Sequence, residues 1–119
     1  MKELPMIKKE AIKPIDLVKY SGASGDFNEI HTVPSLAQEK GLPDIIAHGM
    51  FLMGWAGEAI SEWFPDYRLK FFKVRFQALT HPGTELAIVG TAEKGKGEVI
   101  IKNLQGEIKL KGYFEFQRE

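Results

Sequence analysis

The run Met50-Phe51-Leu52-Met53, continued by Trp55, Ala56, Ala59 and Ile60, constrains this chain more than any other segment. Read as a helix from about His48 to Phe64, it carries apolar side chains on nearly every side of its first three turns. Its first charge is Glu58. A helix that is apolar all round is buried all round. Pro65 and Asp66 end it. Gly49, Gly54 and Gly57 are each unfavourable in a helix interior by roughly 1 kcal/mol relative to Ala. Close approach of other backbone or of a ligand would offset that loss. An ordinary packed helix with small residues accounts for them equally well.

What covers such a helix is written after it. From Tyr67 the period changes to two. Phe72, Val74, Phe76 and Ala78 alternate with Lys73, Arg75 and Gln77. His81-Pro82-Gly83 marks a turn. Leu86 and Ile88 lie on one face and Ala87 and Val89 on the other, and Lys94-Gly95-Lys96-Gly97 marks the next turn. Val99 to Leu104 is a short apolar strand, and Gln105-Gly106 a tight connection. Ile108, Leu110, Gly112, Phe114 and Phe116 then alternate with Glu107, Lys109, Lys111 and Glu115. Links this short imply antiparallel pairing. The expected class is α+β: one buried helix and four antiparallel strands curled around it.

The first half is less regular. Residues 4 to 12 suggest a short strand. Pro14 suits the first turn of a helix and Gly22 its end, with Ile15, Val18 and Leu17 as the inward face. Residues 22 to 33 read as a loop, and Pro34 to Lys40 as a short helix stopped by Gly41 and Pro43. No repeat or linker interrupts the 119 residues, which are expected to form a single domain, 1–119.

Composition removes several functions. Lys plus Arg equals Asp plus Glu at 16 each, so the formal charge is zero. Without a basic block the chain is not expected to bind nucleic acid. The absence of cysteine excludes a disulfide framework, a thiolate nucleophile and a zinc–cysteine site. No apolar core of a signal peptide follows Met1. Ile45 to Ala59, the best membrane candidate, contains His48 and Glu58. A cytoplasmic location and no membrane partner are the expectations.

Chemistry concentrates in Tyr20 to Ala37, YSGASGDFNEIHTVPSLA. Asp26 and His31 stand five residues apart on a Gly-bearing turn, with Asn28 between them. A carboxylate and an imidazole brought together can hold one water and move its protons. Seventeen residues after His31 comes Ala47-His48-Gly49-Met50. A helix starting there aims free backbone N–H groups at any negative charge beside it. Taken singly, a loop His is commonly a surface residue and an Asp after Gly a turn former.

Together, these residues resemble a known family. Tyr20, Gly25, Asp26, Asn28, Ile30, His31 and Ala37 match the signature of the MaoC-like (R)-specific enoyl-CoA hydratases and 3-hydroxyacyl dehydratases. Ile46-Ala47-His48-Gly49-Met50 is similar to the family's start of the central helix. Val74-Arg75-Phe76 with Ala78 is similar to its following strand. The resemblance covers about residues 15 to 80. It implies the hot-dog fold, a long helix wrapped by an antiparallel sheet, usually dimeric. Glu29 departs from the pattern, which has Pro before the Ile/Leu-His pair. Proline would stiffen that loop by fixing φ, so its loss touches rigidity rather than proton transfer.

The resemblance further implies reversible hydration of a trans-2-enoyl thioester to the (R)-3-hydroxyacyl thioester. Asp26 and His31 would be the catalytic pair around one water. The Gly49 amide would bind the thioester oxygen, with Asn28 shaping the loop and Met50 near the acyl chain. No metal or other cofactor is implied, since coenzyme A or acyl carrier protein enters as part of the substrate. The expected partner is a second chain, in a homodimer or in a heterodimer with a related hot-dog chain. Two rival readings stay open: a subunit, catalytic or not, of a heteromeric 3-hydroxyacyl dehydratase, and a hot-dog acyl thioesterase. His48 reads as a structural neighbour of the site and His81 as a turn residue. Lys70, Lys73 and Arg75 are either coenzyme A phosphate contacts or a solvated strand face.

Overall fold

A computed structural model describes residues 1–118 of the chain. In chain order the elements are β1 (Lys2–Glu3), β2 (Ile7–Lys9), α1 (Pro14–Ser24), a single 3-10 turn (Glu29–His31) and α2 (Pro34–Glu39). Then come α3 (Gly49–Trp63), β3 (Tyr67–Phe76), β4 (Leu86–Glu93), β5 (Lys96–Asn103) and β6 (Ile108–Arg118). The strands form one six-stranded sheet in the order β1-β4-β5-β6-β3, with β2 also pairing β4. Every pairing is antiparallel.

The four long strands are those the period-two pattern predicts. Between β4 and β5 the hairpin opposes Glu93 to Lys96, so only Lys94 and Gly95 turn. Their φ values of 50° and 80° are those of a two-residue turn whose twist matches its strands. Lys96 and Gly97 therefore already belong to β5. At the amino terminus the expected single strand is two short ones, parted around Pro5, which cannot donate to a ladder.

α3 lies across the concave face. Its Leu52, Ala56, Ala59 and Ile60 pack on Leu86 and Ile88 of β4, Val99 and Ile101 of β5, and Leu110 and Phe114 of β6. Burial of this kind is worth about 25 cal/mol per Å2 of apolar surface and is what holds helix to sheet. Full burial of α3 is not observed. The sheet covers one face only, and Met50 is left 58% exposed. Nothing packs against the Cα of Gly54, so close approach does not explain that glycine.

Two further expectations are corrected. In α1 the inward residue is Leu17, whereas Ile15 and Val18 are 52% and 49% exposed. The helix docks through Leu17 and Ser21, one turn apart, and runs on to Ser24, where Gly25 at φ 77° closes it. In β6 the alternation breaks at Lys109, only 5% exposed. Its Nζ donates to the Leu79 carbonyl at 2.7 Å and pairs with Glu107, so the ammonium is satisfied in place.

Candidate active site

Asp26 and His31 are presented by one tight structure. Asp26 Oδ1 accepts from the Asn28 amide, and Asn28 Oδ1 accepts from the Ile30 amide, both at 3.2 Å. These successive Asx bonds turn the chain into the 3-10 turn that ends on His31. Asn28 thus shapes the loop through its side chain, as expected. Glu29, where the family pattern has Pro, opens that turn with an exposed side chain.

His31 is held from behind. The segment before α3 supplies the Ile46 carbonyl, which accepts from His31 Nδ1 at 2.8 Å, while the Ile46 amide donates to the Ile30 carbonyl at 3.1 Å. A carbonyl can only accept, so the ring carries its proton on Nδ1. In the neutral ring Nε2 then carries the lone pair, and it faces Asp26 Oδ2 at 3.8 Å. That separation is too long for a direct hydrogen bond and short enough for one water to bond both atoms. The carboxylate is open, with its side chain 53% exposed against 9% for His31.

The same 45–47 segment is fixed on its other side. The Ala47 amide donates to the Thr80 carbonyl at 2.8 Å, and His81 Nδ1 donates to the Ile45 carbonyl at 2.9 Å. His81 is therefore more than a turn residue: its ring anchors the segment that anchors His31.

His48 is the N-cap of α3, so the amino-terminal tip of that helix stands beside the pair. Its ring stacks on His31 with centroids 3.7 Å apart and planes 19° apart. Tyr20 meets the His48 ring edge-on, with centroids 4.8 Å apart. Burial is the first cause holding the His48 pKa below its ordinary 6.5, and the nearby His31 is the second. The amides of Gly49 and Met50 belong to the first turn, where helix N–H groups have no intrahelical acceptor. Gly49 has a second reason to be glycine. A Cβ there would lie 3.1 Å from the Phe76 ring.

Asp26, His31 and His48 bring a carboxylate oxygen and two ring nitrogens within 4.8 Å of one another. His48 Nε2, however, already bonds Ser21 Oγ and the Asp26 carbonyl. Stacked rings also hold their in-plane nitrogens in near-parallel planes instead of converging on one point. The group is better built for handling protons than for caging an ion. Lys70, Lys73 and Arg75 lie exposed on β3. Reading the sequence missed the Ile46 carbonyl, Ser21 and Phe76. A backbone carbonyl leaves no signature, and a lone Ser or Phe carries no spacing signal.

Residues 2–111 match the family model for the MaoC like domain, and the chain belongs to that family. It is 40% identical over 65 residues to 3-hydroxyacyl-thioester dehydratase X of Mycobacterium tuberculosis, covering 52% of this chain and 23% of that protein. Among solved structures it superposes on a chain of the ChsH1–ChsH2 complex from Mycobacterium tuberculosis with a TM-score of 0.86 at 20% identity. That match covers 98% of this chain and 95% of the other. On the (R)-hydratase from A. caviae the TM-score is 0.83 at 16% identity, covering 99% and 95%. The fold is the hot dog. The chain spans about a quarter or less of the length of the curated relatives it matches.

Proposed function

We propose that the chain is a hydro-lyase that adds water across the 2,3 double bond of an enoyl thioester, or removes it from the (R)-3-hydroxyacyl thioester. The observation that carries this is the placement of the two ring nitrogens of His31. With Nδ1–H committed to the Ile46 carbonyl, a bare Nε2 faces the Asp26 carboxylate 3.8 Å away. One water bonded to both would be oriented by Asp26 and deprotonated by His31 as its oxygen attacks C3. The proton is returned to C2 from the pair. General acid–base help of this kind is typically worth about 10²–10⁴-fold. The enolate oxygen that forms would be met by the Gly49 amide at the positive end of α3. One such donor contributes about 10²–10³-fold.

The reaction draws on no metal or redox group, because the thioester itself polarises the double bond. Coenzyme A or acyl carrier protein enters as the substrate's carrier. The partner would be a second hot-dog chain, identical or related. The exposed Leu69 and Phe71 on the edge strand β3 favour such an assembly. The ChsH1–ChsH2 complex, which pairs two chains, supports the related-chain form.

The test is a crotonyl-CoA assay. Absorbance of the conjugated enoyl thioester should fall while free thiol stays at background. Thiol release would make the chain a thioesterase instead.

A further inference from the structure

The mechanism above leaves one buried titratable group without a task. His48 is 2% exposed, and its Nδ1 has no hydrogen-bond partner among the described residues. Its other nitrogen has two. Nε2 lies 3.1 Å from Ser21 Oγ and 3.4 Å from the carbonyl oxygen of Asp26. The Asp26 carbonyl can only accept, and a serine hydroxyl can accept as well. Both contacts are therefore satisfied by one tautomer, with the proton on Nε2 shared between them. The reverse tautomer would bury an N–H on Nδ1 with no acceptor, and such orphaned donors are rare. The ring face then lies on His31 at 3.7 Å. One side chain thus touches both halves of the pair: the backbone of one and the ring of the other.

We propose that His48 is a positioning residue for the Asp26–His31 pair, acting as a plate under the His31 imidazole and as an Nε2–H clamp on the Asp26 carbonyl. The inference rests on the hydratase reading for its kinetic consequence, but not for its geometry. Asp26 needs such a clamp. Its carboxylate is half in solvent and tied by the Asn28 amide at 3.2 Å, and its own amide meets Ser24 Oγ at 3.2 Å. Its carbonyl has the His48 Nε2 contact alone among the described residues. The ring must also stay neutral, since a charged imidazole stacked on His31 would repel the proton that His31 has to accept. Burial of the ring serves that end. Because α3 is capped by this same residue, the clamp fixes the pair relative to the Gly49 amide as well.

Two substitutions separate the functions. His48→Phe keeps a ring to stack and loses the N–H. His48→Gln keeps an N–H of similar reach and loses the ring, and His48→Ala loses both. A misplacement of about 1 Å costs about 10²-fold, so His48→Ala should lose about that much of kcat with KM within a few-fold of wild type. The Gln and Phe variants should fall between. On a His31→Gln background His48→Ala should add little further loss, because the group it positions is gone. A role confined to holding the fold would lower both backgrounds equally. Full additivity, or a folded His48→Ala variant with wild-type kcat, overturns the proposal.

Should the variants fail to fold, long-range 1H–15N imidazole spectra of the unaltered protein decide. The expected result is a neutral His48 carrying its proton on Nε2 and a His31 carrying its proton on Nδ1. A His48 proton on Nδ1 removes the clamp. A wild-type chain inert toward crotonyl-CoA would remove the hydratase reading alone, and the spectra would still judge the clamp.

Discussion

The Ile46 carbonyl orients His31: by accepting from Nδ1 at 2.8 Å it turns Nε2 toward Asp26, 3.8 Å away. The base is therefore oriented by a backbone group of the segment that leads into α3. That segment is held by Thr80 and His81 in turn. Through these bonds the pair, the helix tip and the turn before β4 form one connected unit.

His81→Ala removes the bond to the Ile45 carbonyl. A net hydrogen bond contributes about 1 kcal/mol. A loss of about that size is expected, read as a lower urea midpoint with an unchanged slope. A variant as stable as the parent would mean that the ring does not anchor the 45–47 segment.

Gly49 sits under the Phe76 ring, and a methyl group there would be 3.1 Å from it. Phe76 is 47% exposed and its ring can shift by a few tenths of an ångström, so Gly49→Ala should cost no more than about 1 kcal/mol. Adding Phe76→Ala should restore most of that loss. Turnover should stay low in the double variant, because the methyl group still stands at the helix tip where the thioester oxygen would approach. Recovery of both stability and turnover would reduce Gly49 to a packing residue.

The buried, neutral His48 makes the fold sensitive to acid. Its pKa is lowered on folding from 6.5, so between the two values the unfolded chain binds more protons. Stability contributed in this way is complete above 6.5 and falls as pH drops below it. Asp26, whose charge opposes the shift, and His31 face the same ring. Thermal melts from pH 7.5 to 5 should show a falling midpoint in wild type and a shallower fall in His48→Gln. Parallel curves would mean that folding does not lower the His48 pKa.

On the edge strand β3, Leu69 and Phe71 are exposed to about two-fifths or more. Leu69→Lys with Phe71→Lys should abolish the proposed dimer, leaving monomer in sedimentation, since charges on an edge strand oppose sheet continuation. A double variant that sediments like the parent would place the interface elsewhere.

Much of this was legible in the sequence, for physical reasons that differ by element. The strands were readable because one face of the sheet is packed on α3 and the other is more open, which enforces alternation along β5 and most of β6. Lys109 escaped because its burial depends on a carbonyl, that of Leu79, which no side-chain pattern encodes. α1 was read correctly at Leu17 and wrongly at Ile15 and Val18. Ile15 and Val18 look like an apolar stripe, but the helix docks partly through a polar residue, Ser21, whose partner His48 is 27 positions away. Asp26 and His31 stood out because both groups come from one short loop. Their supports stayed hidden, being a backbone carbonyl and a ring whose role is visible only once it is stacked.

The most direct test of the central claim is the turnover of crotonyl-CoA by wild type, Asp26→Asn and His31→Gln under identical conditions. Each variant should remain folded and lose on the order of 10²-fold or more in kcat, since each removes one of the two groups that hold the water. Wild-type rates in both variants would contradict the account.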